Sequence, residues 1–482
     1  MSAPKPKPKP HLAVVLRCRQ ALFECEPEFQ SRLKALFAYR HPRADFIPLV
    51  QSGEWDGMIN MMQRGRVSAG LFHAKRKLIN KLFQVEVEEE VVRPQFRPAE
   101  EGSKDHSAPL RPYQQRAVQA MIDASGLGGI ILSATGSGKT KLAGEYFKRL
   151  IGTGVFIVDE LTLLEQARGE IAKAAGETVG IVGKSEFAPQ RITVATVQTL
   201  FKHRHKTQFQ KWYRQIDVLV IDELHVQLNR RNFGAVTQIK PKAVFGLTAT
   251  LQLKKPEVSL PAIALCGPVI FEYPIQQGVE EGYLSAGQIV IVPFYDPLRG
   301  LAPGYWSRGP KGRIWVEAGS TAADYRYHIC LNKARNDLVE KLVRQSLSQG
   351  RRIILLVERK LHLRKLSKRL EDSPHYALSG EVDAATRRQA MHQMDAGTLR
   401  LILASRVFAK GVDVRQVDCI IDATGLPSHD NALQRYGRGA RKAEGKVLLY
   451  YDVADRNSPF ADAAWARYRA LQEIGAPIAV LD

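Results

Sequence analysis

The sequence predicts an α/β chain in which two parallel-sheet domains follow one another behind a small N-terminal α+β domain. From residue 106 onward, short β-branched runs alternate with helical stretches: 129–132, 155–158, 192–195 and 217–221, then 353–357, 399–404, 418–421 and 447–450. Such alternation makes βαβ units, and runs this apolar belong to strands covered on both faces. A break rich in Pro, Gly and aromatics at 293–319 divides the series into two sheets. The length of 482 residues leaves room for about three domains. The expected order is a Pro/Lys-rich arm at 1–10, a small N-terminal domain at 11–85 and an acidic linker at 86–105. A first sheet domain at 106–285, an inter-domain insertion at 286–322 and a second sheet domain at 323–482 complete it.

Charge narrows the partner. Seventy Lys and Arg against 49 Asp and Glu give +21, while the 45% hydrophobic content is that of a folded protein. A polyanion is therefore expected, nucleic acid or an anionic surface. The longest apolar runs fall far short of the ~18 residues a spanning helix needs, so no membrane association is expected. The N-terminal arm lacks the apolar segment of a secretory signal. Five scattered cysteines without a C-x-x-C pair indicate a reducing compartment and no zinc site. The basic excess is spread over the chain, with 31 basic and 21 acidic residues after position 285, so a partner surface crossing several domains is expected.

Three motifs carry the chemistry. Ser133-Ala-Thr135-Gly136-Ser137-Gly138-Lys139-Thr140 lies between a strand and a helix, the context of a phosphate-binding loop. There the glycines let backbone N–H groups close on phosphate oxygens, Lys139 brings a point charge to the β- and γ-phosphates, and the Thr140 hydroxyl reaches Mg²⁺. Asp222-Glu223-Leu-His225 ends an apolar strand: Asp222 can hold Mg²⁺ and Glu223 can orient and deprotonate the attacking water. Gln434-Arg435-Tyr-Gly-Arg438-Gly-Ala-Arg441 is the most specific of the three. Arg438 and Arg441, three apart on one face of a helix or turn, can both reach a γ-phosphate and act as arginine fingers from the second domain.

In this order the motifs resemble those of superfamily 2 helicases. Leu110-Arg-Pro-Tyr-Gln114 is similar to the segment whose glutamine reads adenine; residues 158–166 resemble motif Ia and 194–200 motif Ib. Leu247-Thr248-Ala-Thr250 resembles motif III, and residues 404–413, with Ser405, Lys410, Gly411 and Asp413, resemble motif V. A finer likeness points to the XPB/UvsW branch, through Arg335-Asn336 at the opening of the second domain and through Trp55-Asp-Gly57 with Gly70-Leu-Phe72 in the first 85 residues. The sequence departs from the family pattern at Ser133 and Ser405. The lack of the long extra domains of eukaryotic XPB suggests a phage or bacterial protein of the cytoplasm.

The resemblance implies two tandem RecA-like domains with ATP between them, Gly411 and Asp413 of motif V among the nucleotide-binding residues, and a nucleic-acid track over the strand ends. Hydroxyls and amides at Thr196, Gln198, Thr199 and Ser405 can bond phosphates without reading bases, so binding should be sequence-independent and salt-sensitive. Thr248 and Thr250 are expected to couple the two sites. The activity expected is that of an ATP- and Mg²⁺-dependent DNA helicase or translocase on forked or branched DNA, working as a monomer. An RNA or RNA–DNA hybrid helicase, a non-enzymatic scaffold and a restriction motor subunit are the alternatives. Among lesser features, Lys75–Lys81 reads as a duplex grip or a solvated helix face. Residues 202–214 read as a basic loop or duplex contact. Tyr305, Trp306 and Trp315 with Arg308, Lys311 and Arg313 read as a base-stacking surface or a packed loop.

Overall fold

The computed structural model describes residues 9–17, 19–98, 109–298, 300–309, 312–405, 416–426, 429–443 and 445–481. Most of the arm at 1–10, much of the expected linker, and Lys410, Gly411 and Asp413 of motif V lie outside the described residues. The chain forms two compact units, Met1–Ser133 with Gly138–Tyr273, and Ala134–Ser137 with Pro274–Asp482.

The first unit opens with a four-stranded sheet in the order Arg66–Ser68, Gln20–Glu24, His11–Arg17, Gln84–Glu90. The last two strands run parallel. The expected linker thus begins as a strand: Val85 and Val87 pack on the small domain's core between outward glutamates, and this period-two pattern looks acidic when read as composition alone. Trp55-Asp-Gly57 is a turn, in which Asp56 Oδ1 accepts from the Met58 amide at 2.8 Å, the Trp55 indole donates to the Met58 carbonyl, and Gly57 has φ of 77°. Gly70 begins the helix Ala69–Leu82, which meets the helix Pro256–Cys266 so closely that a Cβ on Gly70 would lie 2.3 Å from the Ile263 carbonyl oxygen. Leu260, Ile263 and Ala264 complete the core around Leu71 and Phe72, and the Arg19 guanidinium bonds the Leu265 carbonyl. Both halves of the small-domain likeness are therefore packing features, a turn and a helix crossing.

An eight-stranded sheet forms the rest of this unit. Its order is Glu186–Ala188, Gly180–Gly183, Ile192–Thr196, Gly154–Val158, Val218–Ile221, Ala243–Thr248, Gly129–Ser133, Val269–Tyr273. All pairings are parallel except the hairpin strand Glu186–Ala188. Val218–Ile221 is wholly buried, as a strand covered on both faces must be.

The second unit holds a seven-stranded parallel sheet in the order Tyr376–Leu378, Leu401–Ser405, Ile353–Val357, Cys419–Asp422, Leu448–Asp455, Gly287–Phe294, Ile478–Val480. Two boundaries expected from sequence move. Residues 274–285 belong here, because Ile275 packs on this unit's core and Leu284 bridges Arg441. Gly287–Phe294, expected within the insertion, is an interior strand of the sheet, paired along its length with Leu448–Asp455; its buried Ile289–Val292 run carries the pairing before the Pro/Gly-rich break begins. The excursion that remains contains a two-stranded hairpin, Tyr305–Gly309 with Gly312–Val316. Leu363, Leu366 and Leu370 are buried along the basic helix Lys360–Arg369, as a solvated amphipathic helix requires.

Candidate nucleotide and nucleic-acid sites

In a parallel α/β sheet the loops after the strands' carboxyl ends gather ligands. The phosphate-loop residues meet this rule. Strand Gly129–Ser133 leads into a turn with Gly136 and Gly138 at φ of 86° and 84°, where a side chain would be strained, and Gly138 caps the helix Lys139–Arg149. Lys139 Nζ lies 3.4 Å from the Ser133 carbonyl oxygen, folded back over the loop where an incoming phosphate would replace that contact. Gln114, third residue of the helix Pro112–Asp123, accepts from the Arg111 amide through Oε1 at 3.0 Å, and a Cβ on Gly138 would sit 2.7 Å from its Nε2. The adenine-reading candidate thus lies against the phosphate loop.

Asp222 and Glu223 follow the strand Val218–Ile221 in the same unit. Burial, and next Glu223, push the Asp222 carboxyl up to about 7 against the pull of Lys139. A carboxylate held this unfavourably suits a divalent cation, which would reverse the balance. Thr140, the other residue expected to reach a cation, is the second residue of the helix Lys139–Arg149. Glu223 has φ of 46° and ψ of 55°, a left-handed conformation rare outside glycine and concentrated at functional sites. Its Oε2 lies 3.5 Å from His225 Nδ1, which meets Thr248 Oγ1 at 3.0 Å, and the Thr248 hydroxyl donates to the Thr250 carbonyl at 2.8 Å. The two threonines expected to couple sites are thereby wired to the candidate base through His225, a residue to which the sequence reading gave no role. Gln227 was missed as well. Wholly buried, its amide lies 3.5 Å from Asp159 Oδ1 of the motif Ia segment and accepts from Asn232. A glutamine in a short helix offered no sequence signal for this.

The nucleic-acid candidates separate. A groove of about 500 Å³ is lined by Lys184, Ser185, Thr196, Gln198, Thr199 and Lys202, and also by Asp159 and Glu160. Thr196 is wholly buried and its hydroxyl pairs with that of Thr199 at 2.9 Å, so it orders Thr199 instead of facing a strand itself. Gln198 is exposed and its amide reaches the Asp159 carbonyl. Ser405 ends the strand Leu401–Ser405 of the second unit, buried. In the 202–214 stretch, Trp212 and Tyr213 are core residues, the tyrosine hydroxyl donating to the Leu200 carbonyl, so these two aromatics are not available to a partner.

In the second unit, Gln434 and Arg438 lie on the helix His429–Gly439, while Arg441 is beyond its end, in a bridge with Leu284. The pair is thus divided between a helix end and the turn after it. The Arg441 carbonyl is held by Ser285 Oγ at 3.2 Å and Lys446 Nζ at 2.8 Å. Arg435 points inward and bonds Asp422 Oδ2 at 2.6 Å and Thr424 Oγ1 at 2.9 Å; the Tyr450 hydroxyl donates to the same Asp422 oxygen at 2.9 Å. Burial alone would raise the Asp422 carboxyl, but Arg435 and Arg467 hold it well below the usual carboxylate range. Arg335 is likewise internal, forking onto Asp455 at 2.9 and 3.1 Å, and its neighbour Asn336 donates to the Cys330 carbonyl and meets His362. That signature pair is therefore a structural tie. Among the described residues no group of His, Cys, Asp or Glu forms a metal cluster, and no helix is long and apolar enough to cross a membrane.

Residues 107–253 match the family described as "Type III restriction enzyme, res subunit", and residues 334–443 match "Helicase conserved C-terminal domain". A putative DNA 3'-5' helicase Rad25 of Halobacterium salinarum is 26% identical over 383 residues, 77% of this chain and 58% of that protein. The DNA 3'-5' translocase XPB2 of Sulfurisphaera tokodaii is 27% identical over 367 residues, 70% of this chain and 80% of that one. The chain spans 58% and 51% of the length of two Rad25 relatives. Among solved structures, Saccharomyces cerevisiae Dbp5 bound to RNA and ADP BeF3 covers 77% of this chain and 89% of its own at TM-score 0.53 and 14% identity, a likeness of fold. T4 UvsW covers 98% at TM-score 0.44 and 17% identity. Two family matches in chain order, each on a RecA-like parallel sheet, together with Rad25 and XPB2 relatives aligned along most of the sequence, lead to one conclusion: the chain belongs to the superfamily 2 helicases, among relatives of the XPB type.

Proposed function

We propose that this protein is an ATP-dependent DNA helicase or translocase of 3'–5' polarity that remodels forked or branched DNA. The observation that carries the reading is the first unit's strand-end set: Lys139 folded over a phosphate loop, Asp222 with a carboxyl raised to about 7, and Glu223 in a left-handed conformation tied through His225 to Thr248. In this reading Lys139 and the backbone of 135–138 bind the phosphates of ATP. Mg²⁺ bound with it, held by Thr140 and Asp222, supplies neutralisation of phosphate charge. Glu223 takes the proton of the attacking water, and the family resemblance assigns Gln434, Arg438 and Arg441, with Gly411 and Asp413 of motif V, to the same nucleotide. Arg438 and Arg441 stabilise the charge that develops on the γ-phosphate. The names of the Rad25 and XPB2 relatives support DNA and the polarity, the +21 charge supports a polyanion, and the groove holding Gln198 and Thr199 supports contacts to phosphates.

The test is turnover of ATP by the full chain against single-stranded, forked, four-way and RNA–DNA hybrid substrates. Stimulation by forked or four-way DNA above RNA and hybrid is expected, and Lys139→Ala should abolish it. Stimulation by RNA alone would turn the reading to an RNA helicase. Near-normal turnover by the Lys139 variant would remove the phosphate-loop assignment.

A further inference from the structure

The hairpin Tyr305–Gly309 with Gly312–Val316 is assigned no part in the nucleotide chemistry, and its register places two tryptophans on one exposed face. The register sets Trp306 opposite Trp315 and Arg308 opposite Arg313, and the two-residue pleat puts Arg313 on the same face as Trp315. The indoles meet edge to face, centroids 5.4 Å apart, and remain 63% and 48% exposed. The other face is anchored, with Arg326 of the segment Tyr325–Cys330 lying 4.5 Å over the Tyr305 ring. The backbone at Gly304 gives Trp315 its seat, since a Cβ there would fall 2.4 Å from Cζ2 of the indole. A two-stranded hairpin is marginal in water by itself, and these contacts support it while its aromatic face stays exposed to solvent. From 305 to 316 the sequence carries two Arg and one Lys and no acidic residue.

We propose that this face is a base-stacking site for single-stranded DNA, in which an unpaired base lies on the exposed indole of Trp306 or Trp315 and Arg313 meets the adjoining phosphate. The assignment rests on the DNA-helicase reading above and deepens it by naming the strand that the second unit grips. Every base has an apolar face to offer an indole, and interleaved cations suit the backbone between bases. A paired base has both faces covered by its stacked neighbours, so a duplex offers the indoles nothing to stack on. The cationic, acid-free strands favour a polyanion over an apolar protein partner.

Binding of labelled oligo(dT) to the full chain, followed by anisotropy without ATP at fixed salt, tests this. The double variant W306A/W315A should bind oligo(dT) about fivefold or more weakly, with affinity for blunt duplex unchanged. The variant W306F/W315F keeps the stacking surface without the indoles. It should bind oligo(dT) within about twofold of the wild type, on the same stacking argument, yet lose the quenching of tryptophan emission that oligo(dT) causes in the wild type. Unchanged affinity in the alanine variant, equal loss on blunt duplex, or quenching that persists in the phenylalanine variant would each overturn the site. Quenching by oligo(rU) and none by oligo(dT) would overturn the choice of DNA. Absence of DNA-stimulated turnover in the wild type would instead be a failure of the helicase reading, separable from a hairpin that contributes nothing to an intact DNA-stimulated ATPase.

Discussion

Strands Val218–Ile221 and Cys419–Asp422 each stand fourth from one end of their sheets, the first between Gly154–Val158 and Ala243–Thr248, the second between Ile353–Val357 and Leu448–Asp455. An aspartate follows the first strand and ends the second, and the two are treated in opposite ways. Asp222 is opposed by burial and by Glu223, and its carboxyl rises to about 7. Asp422 is enclosed by Arg435, Thr424 and Tyr450 and stays well below the usual range. One sheet leaves a strand-end charge opposed by its surroundings; the other neutralises it internally and uses it to fix the helix that bears Gln434 and Arg438.

The largest test of this contrast is on chemistry. Glu223→Gln keeps the shape and removes the base, so turnover should fall about 10²- to 10⁴-fold while ATP binding survives. Fluorescent-nucleotide binding beside steady-state turnover checks both halves, and parallel loss of binding would make Glu223 a structural residue.

Arg435→Ala acts in the opposite sense. It leaves Asp422 buried without its partner, a change worth about 3–5 kcal/mol. Hydrogen exchange in Cys419–Asp422 and Leu448–Asp455 should accelerate, with Val218–Ile221 unaffected. Acid gives the same contrast. Because the folded carboxyl of Asp422 is depressed, its contribution is present above the unfolded value of about 4 and is lost as pH falls below it. Protection of the second sheet should therefore decline at low pH in the wild type, and the Arg435→Ala variant should show a smaller decline.

How much of this was legible in sequence depends on what kind of signal each residue gives. The two sheets, the phosphate loop and the strand-end Asp222-Glu223 announce themselves locally, through a run of apolar residues that stops at a polar one. Arg435 and Arg335 were visible inside motifs, but a motif does not say whether an arginine faces a ligand or an internal carboxylate. Asp422, Asp455 and Tyr450 are 13 to 120 residues from their partners, and only the folded topology brings them together. His225 lies within the motif, and its role appears only once Thr248 is folded beside it. The misplaced boundaries at 86–90 and 274–294 share one cause: composition was read where alternation and pairing decide.

A smaller effect is expected at Tyr450. Tyr450→Phe removes one hydrogen bond to a charged acceptor that keeps Arg435 and Thr424, so about 1–3 kcal/mol should be lost, less than for Arg435→Ala, and turnover should change little. Urea unfolding read by exchange in the second sheet distinguishes the two; equal losses would mean that the tyrosine, not the ion pair, holds Asp422.

The smallest stability effect should come from the most conspicuous charge. Asp222→Asn removes a carboxylate that the metal-free fold already disfavours, and the amide occupies nearly the same volume, so the first sheet should be as stable as the wild type or more so in the presence of a chelator. The same substitution at Asp422 strips Arg435 of its counter-ion and should destabilise the second sheet by an amount nearer the 3–5 kcal/mol of a broken buried pair. Turnover reverses the ranking, since Asp222→Asn should eliminate it by weakening the hold on Mg²⁺. Melting curves of the two variants with and without Mg²⁺ and a non-hydrolysable ATP analogue supply the decisive comparison. Ligand should raise the melting temperature of wild type and of Asp422→Asn, and raise that of Asp222→Asn much less. A loss of stability in ligand-free Asp222→Asn as large as that in Asp422→Asn would show that both aspartates are structural and that the contrast between the sheets does not hold.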